Sequence, residues 1–237
     1  MTKIFEQITK VQQSITDAAQ CANRNPEQIQ LLAVSKTKPV ELIKQAYQFG
    51  LRHFGENYVQ ESIEKINAIK ADKDFIDPIH WYFIGPLQSN KTRPVAENFD
   101  WVQSVDRFKI AQRLNDQRPQ DLPKLNICLQ VNISEEQSKS GATLSQVIEL
   151  AAQVSKLPNL TLRGIMAIPE KTNDTERLEN QLNALHNIYI QLQKQYTQID
   201  TLSMGMSGDL ASAIGCGSTM VRIGTDIFGA RDYPTKE

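Results

Sequence analysis

The stretch Ile29-Gln-Leu-Leu-Ala-Val-Ser-Lys36-Thr-Lys-Pro39 is an apolar, partly β-branched run that leads into a lysine and then a proline. Such a run predicts a buried strand. Apolar residues with helical spacing follow Pro39, and proline is tolerated in the first turn of a helix. In a parallel α/β protein, ligands bind beyond the carboxyl ends of the strands. If the sheet is parallel, Lys36 is therefore predicted to lie at the mouth of a binding site.

The rest of the chain repeats this order of strand followed by helix. Further strands are predicted at residues 52–57, 79–84, 99–105, 125–133, 160–168, 201–206 and 219–223. Helices are predicted at residues 2–23, 40–49, 58–70, 87–97, 107–117, 143–155, 174–195 and 207–215. Strands alternating with helices are typical of a parallel sheet, and eight such units favour a closed barrel. We therefore predict an α/β fold in which residues 1–237 form one domain, a (β/α)8 TIM-like barrel with an extra N-terminal helix.

Composition and charge exclude several classes of protein. The 237 residues are 40% hydrophobic and 22% charged, as in a soluble globular protein. The net charge of −1 favours binding neither to nucleic acid nor to an anionic membrane surface. No apolar run reaches the roughly 20 residues of a membrane span, and the first residues show no signal peptide. No exposed apolar stripe is evident, so we predict a monomer.

The cysteines and histidines indicate neither disulfides nor a metal site. Cys21, Cys128 and Cys216 are odd in number, far apart and without a CxxC pair, which is typical of a reducing compartment. Cys128 lies within an apolar strand and is predicted to be a buried structural thiol. The three histidines lack a metal-ligand spacing such as HExxH. We therefore expect a cytoplasmic protein without a bound metal.

Of the residues at predicted strand ends, Lys36 is the strongest candidate for a reactive group. A lysine after a buried strand can be desolvated, which lowers its pKa and makes its amine nucleophilic. Such lysines form Schiff bases with aldehydes, including pyridoxal 5'-phosphate (PLP). The alternative is a surface lysine that ends a strand. Lys38 adds a neighbouring positive charge that could lower the Lys36 pKa further, or it is simply solvated.

A second group of candidates follows the last two predicted strands. Small residues form turns in Met204-Gly-Met-Ser-Gly-Asp209 and in Val221-Arg-Ile-Gly-Thr225. Loops after strands 7 and 8 are the recurrent phosphate site of this class of barrel. The candidate phosphate ligands are the hydroxyl and amide groups of Ser207, Gly208, Gly224 and Thr225. The alternative is that the glycines serve only tight turns, since no Walker or GxGxxG motif is present.

Arg222 lies inside an apolar strand, next to the proposed phosphate turn. A buried arginine needs a partner. The partner could be a ligand inside the barrel, or a carboxylate such as Glu56 or Asp209.

Several longer motifs resemble the pyridoxal phosphate homeostasis proteins, over about residues 29–231. They are Phe54-Gly-Glu-Asn-Tyr-Val-Gln-Glu61, Trp81-Tyr-Phe-Ile-Gly-Pro-Leu-Gln-Ser-Asn-Lys91, Ser104-Val-Asp106, Ser203-Met-Gly-Met-Ser-Gly-Asp209 and Val221-Arg-Ile-Gly-Thr225. The resemblance implies a barrel similar to the N-terminal domain of alanine racemase. It also implies a PLP-binding protein of intracellular vitamin B6 and amino and keto acid homeostasis, without established turnover.

The resemblance also implies roles for individual residues. Lys36 would hold PLP as an internal aldimine. The phosphate would lie against Ser207, Gly208, Gly224 and Thr225, Arg222 would approach the pyridine nitrogen, and Asn57 and Met204 would line the ring. Transient partners would be PLP enzymes that lack their cofactor.

Two further features favour holding the cofactor over catalysis. An arginine at the pyridine nitrogen discourages its protonation and makes the ring a poorer electron sink. The sequence ends six residues after Arg231, which leaves no room for the second domain that gives alanine racemase its second base. We therefore expect a non-catalytic protein. A racemase-like PLP enzyme, or an aldolase that binds a sugar phosphate directly on Lys36, are the alternatives.

Overall fold

The computed structural model describes residues 3–134 and 140–230, and Arg231 and residues 135–139 lie outside the described part. Eight strands form a closed barrel in the order β1 to β8. Their bounds are β1 Gln30–Val34, β2 His53–Glu56, β3 His80–Phe83, β4 Trp101–Val105, β5 Leu125–Val131, β6 Leu160–Ala167, β7 Thr201–Ser203 and β8 Met220–Ile223. Every strand pairs in parallel with the next, and β8 pairs with β1. The predicted (β/α)8 barrel is confirmed.

Helices connect the strands and surround the barrel. They are α1 Lys3–Cys21, α2 Val40–Gln48, α3 Val59–Ala71, α4 Thr92–Asn98, α5 Phe108–Gln117, α6 Val147–Val154, α7 Thr175–Gln195, α8 Leu210–Gly215 and α9 Thr225–Phe228. The predicted extra helix is α1, which buries an apolar stripe at three- and four-residue steps against α2, α8 and α9. In the described ranges, no helix has the length and apolar character needed to cross a membrane.

Alternation along the strands creates two separate cores. The smaller lies inside the barrel and is built from Leu32, Tyr82, Trp101, Cys128, Met166 and Met220. The larger lies between the barrel and the helices. Both faces of the strands are therefore buried, which is why the strands are near-continuous apolar runs. Cys128 is buried as predicted, and burial raises the pKa of its thiol.

The main departures from the predicted boundaries occur where strands end. The predicted strand over 201–206 ends at Ser203, because Gly205 has a φ of 101°, in the left-handed region that favours glycine. The following helix begins at Leu210 rather than at Ser207. An Asp209 side-chain oxygen instead accepts the Met206 backbone N–H at 2.6 Å, so residues 206–209 form a turn.

Candidate functional site

The candidate site lies at the carboxyl rim of the barrel, where the parallel strands all end. Lys36 follows β1 by two residues, Asn57 follows β2 directly and Gly224 follows β8 directly. These three positions are neighbours around the rim, since β1 pairs with both β2 and β8. The turn after β7 carries Ser207 and Gly208 and adjoins β8. The fold therefore brings to one rim the residues that the sequence places at strand ends.

The segment that carries Lys36 leaves β1 in a strained conformation. Lys36 is half-buried, between the fully buried Ser35 and the exposed Thr37. Thr37 has a φ of 62°, which a β-branched residue rarely adopts, and this costs about 1–3 kcal/mol. Lys38 is not solvated: it is buried, and its Nζ donates to the Ala230 carbonyl oxygen at 2.5 Å. Backbone strain clusters at functional sites, which singles out the position next to Lys36.

Charged side chains from α3 and β2 pack against this segment. The Lys65 ammonium donates to Glu56 Oε1 at 2.9 Å and to Glu61 Oε1 at 2.5 Å. Burial raises the pKa of the Glu56 carboxyl group, while the Lys65 charge and a hydrogen bond from the Ser35 hydroxyl act to lower it. The alternative that Glu56 pairs with Arg222 is wrong, because Glu56 is paired with Lys65.

Arg222 is held inside the barrel by neutral acceptors. Its terminal amino groups donate to the Ser203 hydroxyl at 2.7 Å and to the Ala167 carbonyl oxygen at 2.8 Å. The residue is 4% exposed, and burial lowers the pKa of the guanidinium to about 10. Asp209, the other predicted partner, acts to raise that pKa through its charge. No described carboxylate forms an ion pair with Arg222, so its direct contacts are neutral dipoles and Asp209 acts on it only at longer range.

A chain of buried polar groups fixes the orientation of Arg222. The Ser203 hydroxyl donates to Gln103 Oε1 at 2.8 Å, and the Gln103 amide nitrogen donates to the Met220 sulfur at 3.0 Å. Ser203 and Gln103 are fully buried. Because the Ser203 proton is directed at Gln103, its oxygen lone pair remains available to accept from Arg222. Ser203 and Gln103 were not among the predicted site residues, although a glutamine within the apolar strand Trp101–Val105 was a usable signal.

The two small-residue turns face solvent at the rim. Ser207, Gly208 and Thr225 are exposed, and a Cβ built on Gly208 would meet nothing within 4 Å. Gly224 lies against β1, since a Cβ there would lie 3.1 Å from the Val34 carbonyl oxygen. The predicted phosphate ligands Ser207, Gly208 and Thr225 are therefore accessible from solvent.

Met204 occupies a different environment from the other candidates. Its side chain is fully buried in the larger core, between the barrel and the helices. The neighbouring Ser203 faces the barrel interior instead, as its bond to Arg222 requires. The side chain of Met204 is therefore not presented at the rim.

Polar atoms and open volume at the rim fit a small polar ligand. Among the described residues, Asn57 Oδ1 and Ser104 Oγ are buried without a hydrogen-bond partner. A buried polar atom in this state calls for an explanation, of which a ligand is one. A cavity of about 850 Å³ lies between residues 168–173 and the turn after β7; Gly208 lines it, whereas Lys36, Asn57 and Ser104 do not. The amine of Lys36, together with the hydroxyl and backbone donors of the two turns, fits a ligand that carries an aldehyde and a phosphate.

Comparison with known proteins identifies the family. The sequence model of the family "Alanine racemase, N-terminal domain" matches residues 9–232. A pyridoxal phosphate homeostasis protein from Pasteurella multocida is 56% identical over 232 residues, which are 97% of this chain and 98% of that protein. The chain belongs to the pyridoxal phosphate homeostasis protein family. The resemblance indicated by the motifs is therefore confirmed.

Solved structures show how this family relates to other barrels. The structure of PipY from Synechococcus elongatus with PLP bound is 32% identical, with a TM-score of 0.82, and the match covers 96% of this chain and 100% of PipY. Alanine racemase from Corynebacterium glutamicum is 12% identical with a TM-score of 0.68, over 95% of this chain and 62% of the racemase. The second match shows a shared fold, whereas the first is to a relative that binds PLP.

Proposed function

We propose that this member of the pyridoxal phosphate homeostasis protein family binds PLP at the carboxyl rim and holds it covalently on Lys36, as a homeostasis protein rather than as an enzyme. The observation that carries the proposal is the meeting, at one rim, of Lys36, the open turns after β7 and β8, and the buried Arg222. The PLP-bound PipY relative supports the same ligand.

Each proposed ligand of PLP has a distinct task. PLP supplies an aldehyde that condenses with a primary amine, forming a C=N bond and releasing one water. Lys36 provides that amine from the strained segment after β1. Ser207, Gly208, Gly224 and Thr225 offer hydroxyl and backbone donors to the phosphate. Asn57 offers its unsatisfied side-chain oxygen beside the ring.

The character of Arg222 favours holding over turnover. Its pKa of about 10 keeps it protonated at neutral pH, so towards the pyridine nitrogen it is a hydrogen-bond donor and supplies no acidic proton. Without a protonated ring nitrogen, the cofactor withdraws electrons weakly. We therefore propose a protein that stores or buffers PLP as a monomer in the cytoplasm, with transient supply to enzymes that lack their cofactor.

A titration tests the proposal directly. PLP is added to the purified chain, visible absorbance is followed, the adduct is reduced with borohydride, and the modified residue is located by mass spectrometry. We expect one adduct, on Lys36. Absence of PLP uptake, or modification of another lysine, would contradict the proposal. Incubation with a panel of amino acids in D₂O tests the second half: exchange at the α-carbon that depends on Lys36 would show an enzyme instead.

The two small-residue turns, proposed to bind the phosphate, give a further prediction. Thr225→Glu places a carboxylate at the proposed phosphate position, and two like charges about 4 Å apart repel by roughly 1–4 kcal/mol, so PLP affinity should fall roughly 10- to 100-fold. Affinity for pyridoxal, which lacks the phosphate, should be unchanged. Thr9→Glu is the control, because Thr9 is an exposed threonine on α1, outside the two turns. An equal loss of PLP and pyridoxal affinity in Thr225→Glu would refute the assignment.

A further inference from the structure

The backbone on both sides of Lys36 is held by hydrogen bonds. On the amino side, the Ser35 carbonyl oxygen accepts from Lys65 Nζ at 2.8 Å, and the Ser35 hydroxyl donates to Glu56 Oε1 at 2.7 Å. On the carboxyl side, the Thr37 backbone N–H donates to Glu61 Oε1 at 2.6 Å. The direction in which Lys36 leaves the barrel is therefore set by its two neighbours.

The three charged residues that make these bonds form one connected group. Lys65 joins the two carboxylates, because its Nζ donates to both Glu56 and Glu61. The Lys65 side chain is 7% exposed and that of Glu56 is fully buried, whereas that of Glu61 is 31% exposed. Buried ion pairs are weak evidence for stability, and in some proteins they serve conformational specificity instead.

The conformation that the three charged residues stabilise is the left-handed backbone of Thr37. A threonine in the left-handed region is unfavourable by itself and persists only where surrounding contacts impose it. The bond from the Thr37 N–H to Glu61 is such a contact. A second bond, from the Lys38 N–H to the Ser35 carbonyl oxygen at 3.1 Å, closes the same turn. Loss of the Glu61 contact leaves that bond to hold the strained Thr37, so the turn should open more often and the Lys36 side chain should sample other directions.

We infer that Glu56, Glu61 and Lys65 form a clamp that positions Lys36 for reaction with an aldehyde, by fixing the backbone on either side of it. The three are positioning residues and need no contact with the ligand. The reaction of Lys36 with an aldehyde is part of the proposed function, and this inference rests on it. The fixed backbone on either side of Lys36 is a property of the ligand-free chain.

Glu61→Ala is the test, because it removes the Thr37 contact and leaves the buried Glu56–Lys65 pair in place. In the ligand-free protein, hydrogen exchange at the Thr37 amide should be about tenfold faster, as expected for loss of one hydrogen bond. The rate at which borohydride traps PLP on Lys36 should fall about tenfold. Affinity for pyridoxine 5'-phosphate, which has the same ring and phosphate but no aldehyde, should be unchanged.

Three variants sharpen the result. Glu61→Gln keeps an acceptor for the Thr37 N–H and should restore both rates. Adding Thr37→Gly to Glu61→Ala should partly restore trapping, because glycine adopts a positive φ without strain. Glu97→Ala removes another carboxylate from an i,i+4 pair, with Arg93 on α4, and should change neither rate.

The outcomes separate the clamp from the proposed function. Unchanged exchange at Thr37 in Glu61→Ala would overturn the clamp, as would faster exchange with an unchanged trapping rate. An equal loss of pyridoxine 5'-phosphate affinity would also overturn it, since that would be general damage to the site. Failure of the proposed function has a different signature, because the wild-type protein itself would then trap no PLP.

Discussion

Lys36→Ala is expected to abolish covalent attachment of PLP. Alanine has no amine, so borohydride should trap no adduct and the visible absorbance of the bound cofactor should disappear. This substitution does not alter the two small-residue turns or Arg222. Binding should therefore persist in a weak, dialysable form, at least about tenfold weaker than in the wild type, which corresponds to about 1.4 kcal/mol or more.

Two other lysines serve as controls for this experiment. Lys10 is exposed on α1, and Lys10→Ala should behave as the wild type. Lys38 is two residues from Lys36 but is buried against the Ala230 carbonyl oxygen, so it should remain unmodified when Lys36 is replaced. An adduct of normal yield in Lys36→Ala, on Lys38 or elsewhere, would refute the assignment of the tether.

The barrel could be predicted from the sequence because strands that are buried on both faces appear as continuous apolar runs. Leu31, Leu32 and Ala33 are all buried, since β1 faces the barrel interior on one side and the helices on the other. That requirement produces a continuous apolar run, and it recurs at each strand. The end of β7 was harder to predict. An apolar residue such as Met204 continues the pattern, while the turn that ends the strand depends on the left-handed Gly205.

The rim positions of the candidate site followed from topology, but the contacts between them did not. A residue just after a parallel strand lies at the carboxyl rim whatever its neighbours are, which is how Lys36 and Gly224 were placed. The partners of Arg222 are remote in sequence: Ala167 is 55 residues away, and Ser203 reaches Gln103 across 100 residues. Such pairs depend on strand register.

An irregularity in β4 shows why register could not be inferred. The pairing of β4 with β5 shifts between Val102 and Val105, which changes which side chain faces inward at this point. Gln103 accepts from Ser203 inside the barrel, while the neighbouring Ser104, the first residue of one of the family motifs, has a buried hydroxyl without a partner. The polar Gln103 marks this strand as unusual, but the residues Trp101–Val105 show neither where the register shifts nor which partner Gln103 meets.

The buried charge of Arg222 is expected to lower the stability of the ligand-free protein and to strengthen ligand binding. Its folded-state pKa of about 10 lies below its usual value, so the unfolded chain binds the proton more tightly. The contribution of Arg222 to stability is therefore unfavourable by its full amount below pH 10, and that penalty declines between pH 10 and the usual arginine pKa. At 1.36 kcal/mol per pKa unit, that penalty is about 3 kcal/mol at neutral pH. We propose that this charge is retained because a ligand uses it, since departures from folding rules are expected at functional sites.

Arg222→Gln is accordingly expected to move stability and affinity in opposite directions. The glutamine amide nitrogen is two bonds short of the Arg222 Nη2 that donates to the Ala167 carbonyl oxygen, so this hydrogen bond is lost, but the buried charge is removed with it. In chemical denaturation of the ligand-free chain, the free energy of unfolding should stay unchanged or rise by about 1–3 kcal/mol. PLP affinity, measured by titration, should fall about tenfold or more, since hydrogen bonds from charged donors contribute about 1.5–3 kcal/mol.

An arginine at the opposite end of the barrel should give the reverse result. Arg163 forms an ion pair with Asp200 and lies over the Trp101 ring, so Arg163→Gln should lower the free energy of unfolding by up to about 1 kcal/mol and leave PLP affinity unchanged. If Arg222→Gln also lowered stability and left affinity intact, Arg222 would be a structural residue. The buried charge would then serve the barrel rather than the cofactor, and the proposed contact with the pyridine nitrogen would be wrong.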